Sequence, residues 1–206
     1  QSCMRQFRLN EDLLLSSRNP NALHQARVAV RRLRSAFSIF KPMIGDDGAG
    51  LREELKWLAE ALGQARDLDV LLERAPPGAL RDRVLAAREK TYDLLLETLA
   101  DHRARIVMLN IAHWLEQGRW TGSEGGKVDE SEPARAFAAS ALARLRRRIK
   151  RRGKGLATVD DETRHEVRKG AKKLRYASEF FASLFVGKRA QRRQKRFVVV
   201  LEGLQD

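Results

Sequence analysis

One helix pattern, written twice, limits what this chain can fold into more than any other feature. HQARVAVRRLRSAFSIF begins at His24, and HEVRKGAKKLRYASEFF begins at His165. Aligned without gaps, His24 falls on His165, Arg27 on Arg168, and Arg31 and Arg32 on Lys172 and Lys173. Leu33 falls on Leu174, Arg34 on Arg175 and Phe40 on Phe181, with side-chain type kept throughout. At 100° per residue, His24, Arg27, Arg31 and Arg34 lie within about a quarter of a helix circumference. Leu23, Ala26, Val30, Leu33, Phe37 and Phe40 lie on the opposite side. One face is built for a core. The other is a stripe of one histidine and three guanidinium groups, running roughly 15 Å along the axis. The second copy sets out His165, Arg168, Lys172 and Arg175 in the same way. No stretch of the chain shows a convincing strand alternation, so the repeat predicts an all-α protein in two related halves.

The rest of the chain fits that plan. Residues near 3 to 17 predict a first short helix. In SRNPNALH, Asn19 can cap the next helix and Pro20 suits its first position. That helix runs to about Phe40 and stops at Lys41-Pro42. LREELKWLAEALGQARDLDVLLERA (51–75) follows, ended by Pro76-Pro77-Gly78, and 79–117 reads as one very long helix or two in series. GRWTGSEGGKVDESEP then breaks the apolar period with glycine and polar residues. The expected organisation is a helical-bundle unit over 1–118, a linker or loop over 119–132, and a second unit over 133–206. In the second unit, a helix from about Pro133 becomes very basic through ARLRRRIKRRGKG. Asp160 or Asp161 caps another, which runs to about Phe185. A last helix starts near Lys188 and continues at Asp206. LAEALG (58–63) has only a partial counterpart in LQD (204–206), so the second unit is expected to be incomplete.

Charge points to the partner. Lengths and apolar content are ample for a core (206 residues, 43% hydrophobic), while the net charge of +14 calls for something anionic. Neither stripe has the i,i+4 acidic partners that pair up surface helices, and Glu179 comes only at the far end of the second. Like charges on successive turns repel, a cost that a bound anion offsets. Arg144, Arg148 and Arg151 flank Leu142, Leu145 and Ile149 and can extend a basic groove. Arg151 and Arg152 read equally well as a solvated helix end. KRAQRRQKR (188–196) opens a helix, where the dipole disfavours cations, and reads as surface charge. From residues alone, each stripe stays open between a solvated basic face and an anion grip.

Several classes find no support. A single cysteine, Cys3, allows no disulfide within the chain and no cysteine metal site. There is no run long enough to span a membrane and no signal-peptide core, so a soluble, cytoplasmic protein is expected. No GxxxxGK[ST] loop appears. Asp67 and Asp69, two apart, point to different faces, and the reading for both is helix surface and capping. The expectation is a binding protein and not an enzyme, with neither metal nor cofactor. His102 and His113 read as structural or exposed, and Trp57, Trp114 and Trp120 as core or interface. Nucleic acid remains the alternative partner, although Tyr176 stands alone beside Arg175 and aromatics make up only 6% of the chain.

HQARVAVRRLRSAFSIF, the LGQARDLDVL that follows, and HEVRKGAKKLRYASEFF together resemble the CHAD domain, the conserved histidine α-helical domain. The resemblance covers nearly the whole chain. It implies two four-helix bundles related by a pseudo-twofold axis, binding inorganic polyphosphate in a basic channel between them. Many members are attached to a CYTH triphosphatase domain or sit on polyphosphate granules, and no segment here resembles the catalytic part of a CYTH domain. By position, the implied contacts are His24, Arg27, Arg31, Arg34, His165, Arg168, Lys172 and Arg175. Secondary candidates are Arg32, Arg66 (in LGQARD), Arg144, Arg148 and Lys173. The second unit has lysines where the first has Arg31 and Arg32, so the halves need not bind equally. Arginine's planar fork suits phosphate. An adjacent anion favours imidazolium, which predicts tighter binding as pH drops through roughly 6.5.

Overall fold

A computed structural model of the chain describes residues 1–118, 133–155 and 160–185, with Arg192, Arg196, Phe197 and Val199 beyond them. The chain is all-α, and no strand occurs among the described residues. Its elements are α1 (Ser2–Ser16), α2 (Pro20–Ile39), α3 (Lys41–Ile44), α4 (Ala49–Arg74), α5 (Ala79–Ala100), α6 (His102–Gln117), α7 (Ala134–Arg152) and α8 (Asp161–Phe180). A 3-10 turn, Ala182–Leu184, follows. The expected linker over 119–132, Trp120 and most of the expected last helix lie outside the described residues.

Helix starts follow from their caps. The Asn19 side chain accepts from the backbone N–H of Asn21 at 2.9 Å and of Ala22 at 3.3 Å, so α2 begins at Pro20 as expected. Of the two acids at the start of α8, Asp160 is the cap, accepting from the Thr163 N–H at 2.7 Å. The segment from 79 to 117 is two helices. Asp101 leaves helical geometry (φ −66°, ψ 148°), and its carboxylate accepts from the Arg103 N–H at 2.7 Å to start α6. The helix ending near Phe185 in the sequence reading stops at Phe180 and gives way to the 3-10 turn.

The chain divides into two compact units. The first holds Gln1–Phe37 and Met43–Gly126, the second Ser38–Pro42 and Lys127–Asp206. In the first, α4 packs chiefly on α5, with α6 and α1 adjoining. The expected core face of α2 is buried at Leu23, Ala26, Val30, Leu33 and Phe37. Phe37 stacks on Trp114 with centroids 5.3 Å apart, and the Trp114 indole N–H donates to Asp47. A Cβ on Gly48 would come within 2.9 Å of the Phe37 ring, so this close approach requires glycine. Trp57 lies under the Arg103 guanidinium, 4.1 Å from it, and Glu54 holds that guanidinium at 2.8 Å. Both tryptophans are thus packed within the first unit.

Asp69 belongs to this interior and not to the helix surface that its sequence position suggested. It accepts from Arg88 Nε at 2.8 Å and from the Tyr92 hydroxyl at 2.9 Å, all three being buried. Burial works against the Arg88 charge, but Asp69, Tyr92 and Glu89 together outweigh it and hold the guanidinium above its ordinary value. Burial first, and Asp69 second, push the Tyr92 hydroxyl upward.

The second unit rests on α7 against α8. Ala171 and Leu174 are buried, with Leu142, Leu145, Ile149 and Phe197 packed on them. Phe40, Phe137 and Phe181 form a ring cluster with centroids 5.6 to 6.1 Å apart. Phe40 and Phe181 are matched positions of the repeat and meet edge to face. None of the described helices is long and apolar enough to cross a membrane.

Candidate anion-binding stripes

In the first unit, α2 presents the stripe and α4 braces it. His24 and Arg34 are exposed, Arg27 and Arg31 half-buried. Arg27 Nη1 donates to the Gly63 carbonyl at 3.2 Å and to Asp67 Oδ1 at 3.0 Å. Arg66, in the LGQARD segment of α4, sits with Nη1 3.5 Å from Glu73 and 3.7 Å from Asp69. Partial burial, then the charges of Arg66, Arg31 and Arg27, hold the His24 imidazolium below the ordinary histidine value, while Glu73 pulls the other way. The structure therefore gathers His24, Arg27, Arg31 and Arg66. Carboxylates are present after all. They come from α4, across the helix pair, where spacing along α2 cannot reveal them.

In the second unit, His165 and Arg168 are exposed, and Lys172 and Arg175 half-buried. Arg175 Nη1 donates to Glu179 Oε1 at 2.7 Å, an i,i+4 pair. The Arg175 guanidinium covers the Tyr176 ring at 4.6 Å, and Tyr176 itself is fully buried. It offers no face for a base to stack on. Of the paired carboxylates, Asp67 is exposed against Arg27 while Asp69 is buried, and the two do not share a site. Among the described residues, no cluster of histidine, cysteine and carboxylate side chains can hold a metal ion.

The secondary candidates divide. Arg32 and Lys173 follow Arg31 and Lys172 by one residue and so lie about 100° around their helices from the stripes. Lys173 is half-buried and donates to the Ser38 hydroxyl. Burial, then Arg148 and Arg144, lower its ammonium below the usual lysine value. Arg148 and Lys173 line the groove between α7 and α8, with Arg144 near enough for its charge to act on Lys173; one residue on from Lys172, Lys173 lies about 100° around α8 from it. Arg152 is there too, 3.0 Å from Glu166.

The fold and the stripes define an all-helical, strongly basic domain built on a repeated His-x-x-Arg helix. The family model of the CHAD domain matches residues 1–206, and the chain belongs to that family. It is similar to the crystal structure of the CHAD domain from the plant Ricinus communis, with a TM-score of 0.80 and 28% identity. That likeness covers 98% of this chain and 69% of the other. It is also similar to two uncharacterized proteins of Mycobacterium tuberculosis, Rv2226 from strain ATCC 25618 / H37Rv and MT2285 from strain CDC 1551 / Oshkosh. Each is 30% identical over 181 residues, which is 77% of this chain and 34% of the relative. The chain thus spans about a third of the length of the curated relatives it matches.

Proposed function

We propose that this domain binds inorganic polyphosphate through its two basic stripes, as a non-catalytic module, and that this binding can bring it to polyphosphate granules. The observation that carries the reading is the recurrence of one cationic helix face in both halves of a CHAD family chain. His24, Arg27, Arg31 and Arg34 form the first grip, with Arg66 added from α4. His165, Arg168, Lys172 and Arg175 form the second. Guanidinium forks take phosphate oxygens in pairs, and Lys172 adds a point charge. Held by the Gly63 carbonyl, Arg27 is pre-positioned, so less side-chain freedom is lost when a phosphate arrives. Each phosphate bound releases counterions, so affinity falls with salt.

Nucleic acid is the competing polyanion. Tyr176, the aromatic neighbour of Arg175, is buried and gives a base no face to stack on. The test is a competition at fixed salt between long-chain polyphosphate and duplex DNA matched in total phosphate. Preference for polyphosphate is expected, and preference for DNA overturns the reading. Phosphate release on incubation with polyphosphate and magnesium would contradict its non-catalytic part.

A further inference from the structure

We infer that Lys173 is a site of reversible carboxylation, its Nζ taking up carbon dioxide as a carbamate that the arginines of α7 hold. Lys173 lines an open groove of about 180 Å³ between α7 and α8, together with Arg148, Arg152 and Lys169. A carboxylate added to the amine is small beside that space. The Lys173 Nζ donates to the Ser38 hydroxyl, which fixes the end of the side chain. Gly170, one turn before Lys173, lets the two helices close: a Cβ there would stand 3.1 Å from Ile149 Cγ1. That approach brings the side of α8 carrying Lys173 to the turn of α7 carrying Arg148.

Carboxylation needs a nitrogen with a lone pair to give, and surroundings that favour the anionic product. The charged groups around Lys173 are Arg144, Arg148 and Arg152 from α7, and Lys169 and Glu166 from its own helix. Ser38, at the end of α2, brings only a neutral hydroxyl. Glu166 is the one carboxylate lining the groove, and it is engaged by Arg152 at 3.0 Å and Lys169 at 2.8 Å. Burial of the amine, then Arg148 and Arg144, favour loss of its proton. In the step itself, the Nζ lone pair forms a bond to the carbon of carbon dioxide. One C–O π pair moves onto oxygen, and one N–H proton leaves to water. A cation is thereby replaced by an anion, so repulsion from Arg148 and Arg144 becomes attraction. The N–H that remains can keep the Ser38 contact. The matched position of the first half holds Arg32. A guanidinium does not deprotonate in a protein, so that position has no neutral nitrogen to offer. The chemistry is therefore confined to the second half of the repeat.

The test incubates the whole chain with isotope-labelled bicarbonate, traps carbamates with a trialkyloxonium salt and maps them by peptide mass spectrometry. Lys173 is expected to carry several times the label of Lys150, which is exposed on α7. At fixed total carbonate, the label rises with pH and levels off once the amine is neutral. For Lys173 the plateau is expected to begin below the roughly 10.4 of an ordinary lysine. Removing carbon dioxide before trapping is expected to erase the label. Arg144→Gln with Arg148→Gln is expected to cut the label at Lys173 several-fold and leave that at Lys150 within about twofold. The wild-type measurement stands by itself should the double change disturb folding, as read by circular dichroism. Label at Lys173 no higher than at Lys150 overturns the proposal, as does label that survives removal of carbon dioxide. Full retention of the Lys173 label in the folded arginine variant overturns it too. No polyanion is present in this experiment, so its outcome is independent of polyphosphate binding by the stripes.

Discussion

Arg27 and Asp67 meet at 3.0 Å with a third of the arginine side chain and most of the aspartate exposed. A pair this wet contributes under about 1 kcal/mol to folding. Its consequence is for binding, because a phosphate on Arg27 has to displace the carboxylate. Asp67→Asn is therefore expected to tighten polyphosphate binding with little change in melting temperature, and weaker binding in the titration would contradict this. Asp69, two residues on, is the reverse case. Asp69→Ala leaves Arg88 buried without its carboxylate and should cost about 3–5 kcal/mol, read from urea unfolding. Sequence spacing separates the two aspartates onto different faces. It does not say which meets a stripe and which meets Arg88, since that depends on how α4 registers against α2 and α5.

His24 makes the pH response specific. Its folded value is depressed by burial and by Arg66, Arg31 and Arg27, so the free protein carries it neutral at and above about pH 6.5. A phosphate beside it favours the charged form, and binding takes up a proton. Affinity thus rises as pH falls, and the rise extends below pH 6.5, lower than the sequence alone suggested. Folding runs the other way. The unfolded chain protonates first, so His24 costs stability as pH falls beneath about 6.5. Polyphosphate titrations from pH 5 to 8 should show wild type and His24→Gln diverging toward acid. Parallel profiles would remove the histidine's charge from the account.

At the scale of helices, apolar period and caps were enough to place α1, α2, α4, α7 and α8. Between α5 and α6 the sequence has no glycine or proline, and a single residue, Asp101, stands outside the two helices, so 79–117 reads equally as one long helix or two in series. The signal of the break is Asp101, a capping residue. Asp101→Ala is expected to lower stability by about 1 kcal/mol, seen as a reduced melting temperature, with α6 fraying first by hydrogen exchange. An unchanged melting temperature would mean that tertiary packing alone sets the start of α6. The separation of Lys173 from Lys172 was also legible, since one residue is 100° of helix. What no single helix could reveal is that Lys173 meets Arg144 and Arg148, which needs α7 packed on α8.

For the whole molecule, the repeat and a net charge of +14 were legible from the first reading, and the family match agrees with the resemblance they suggested. The bracing of the stripes was not, because Gly63, Asp67 and Glu73 belong to another helix. The central claim is that the stripes carry the phosphate contacts. The most direct test is the slope of log affinity for long-chain polyphosphate against log salt. It should be compared between the wild type and the chain carrying Arg27→Gln, Arg31→Gln, Arg168→Gln and Lys172→Gln. Four lost contacts should flatten the slope by about 3 and weaken binding at every salt concentration. An unchanged slope and affinity would contradict the account.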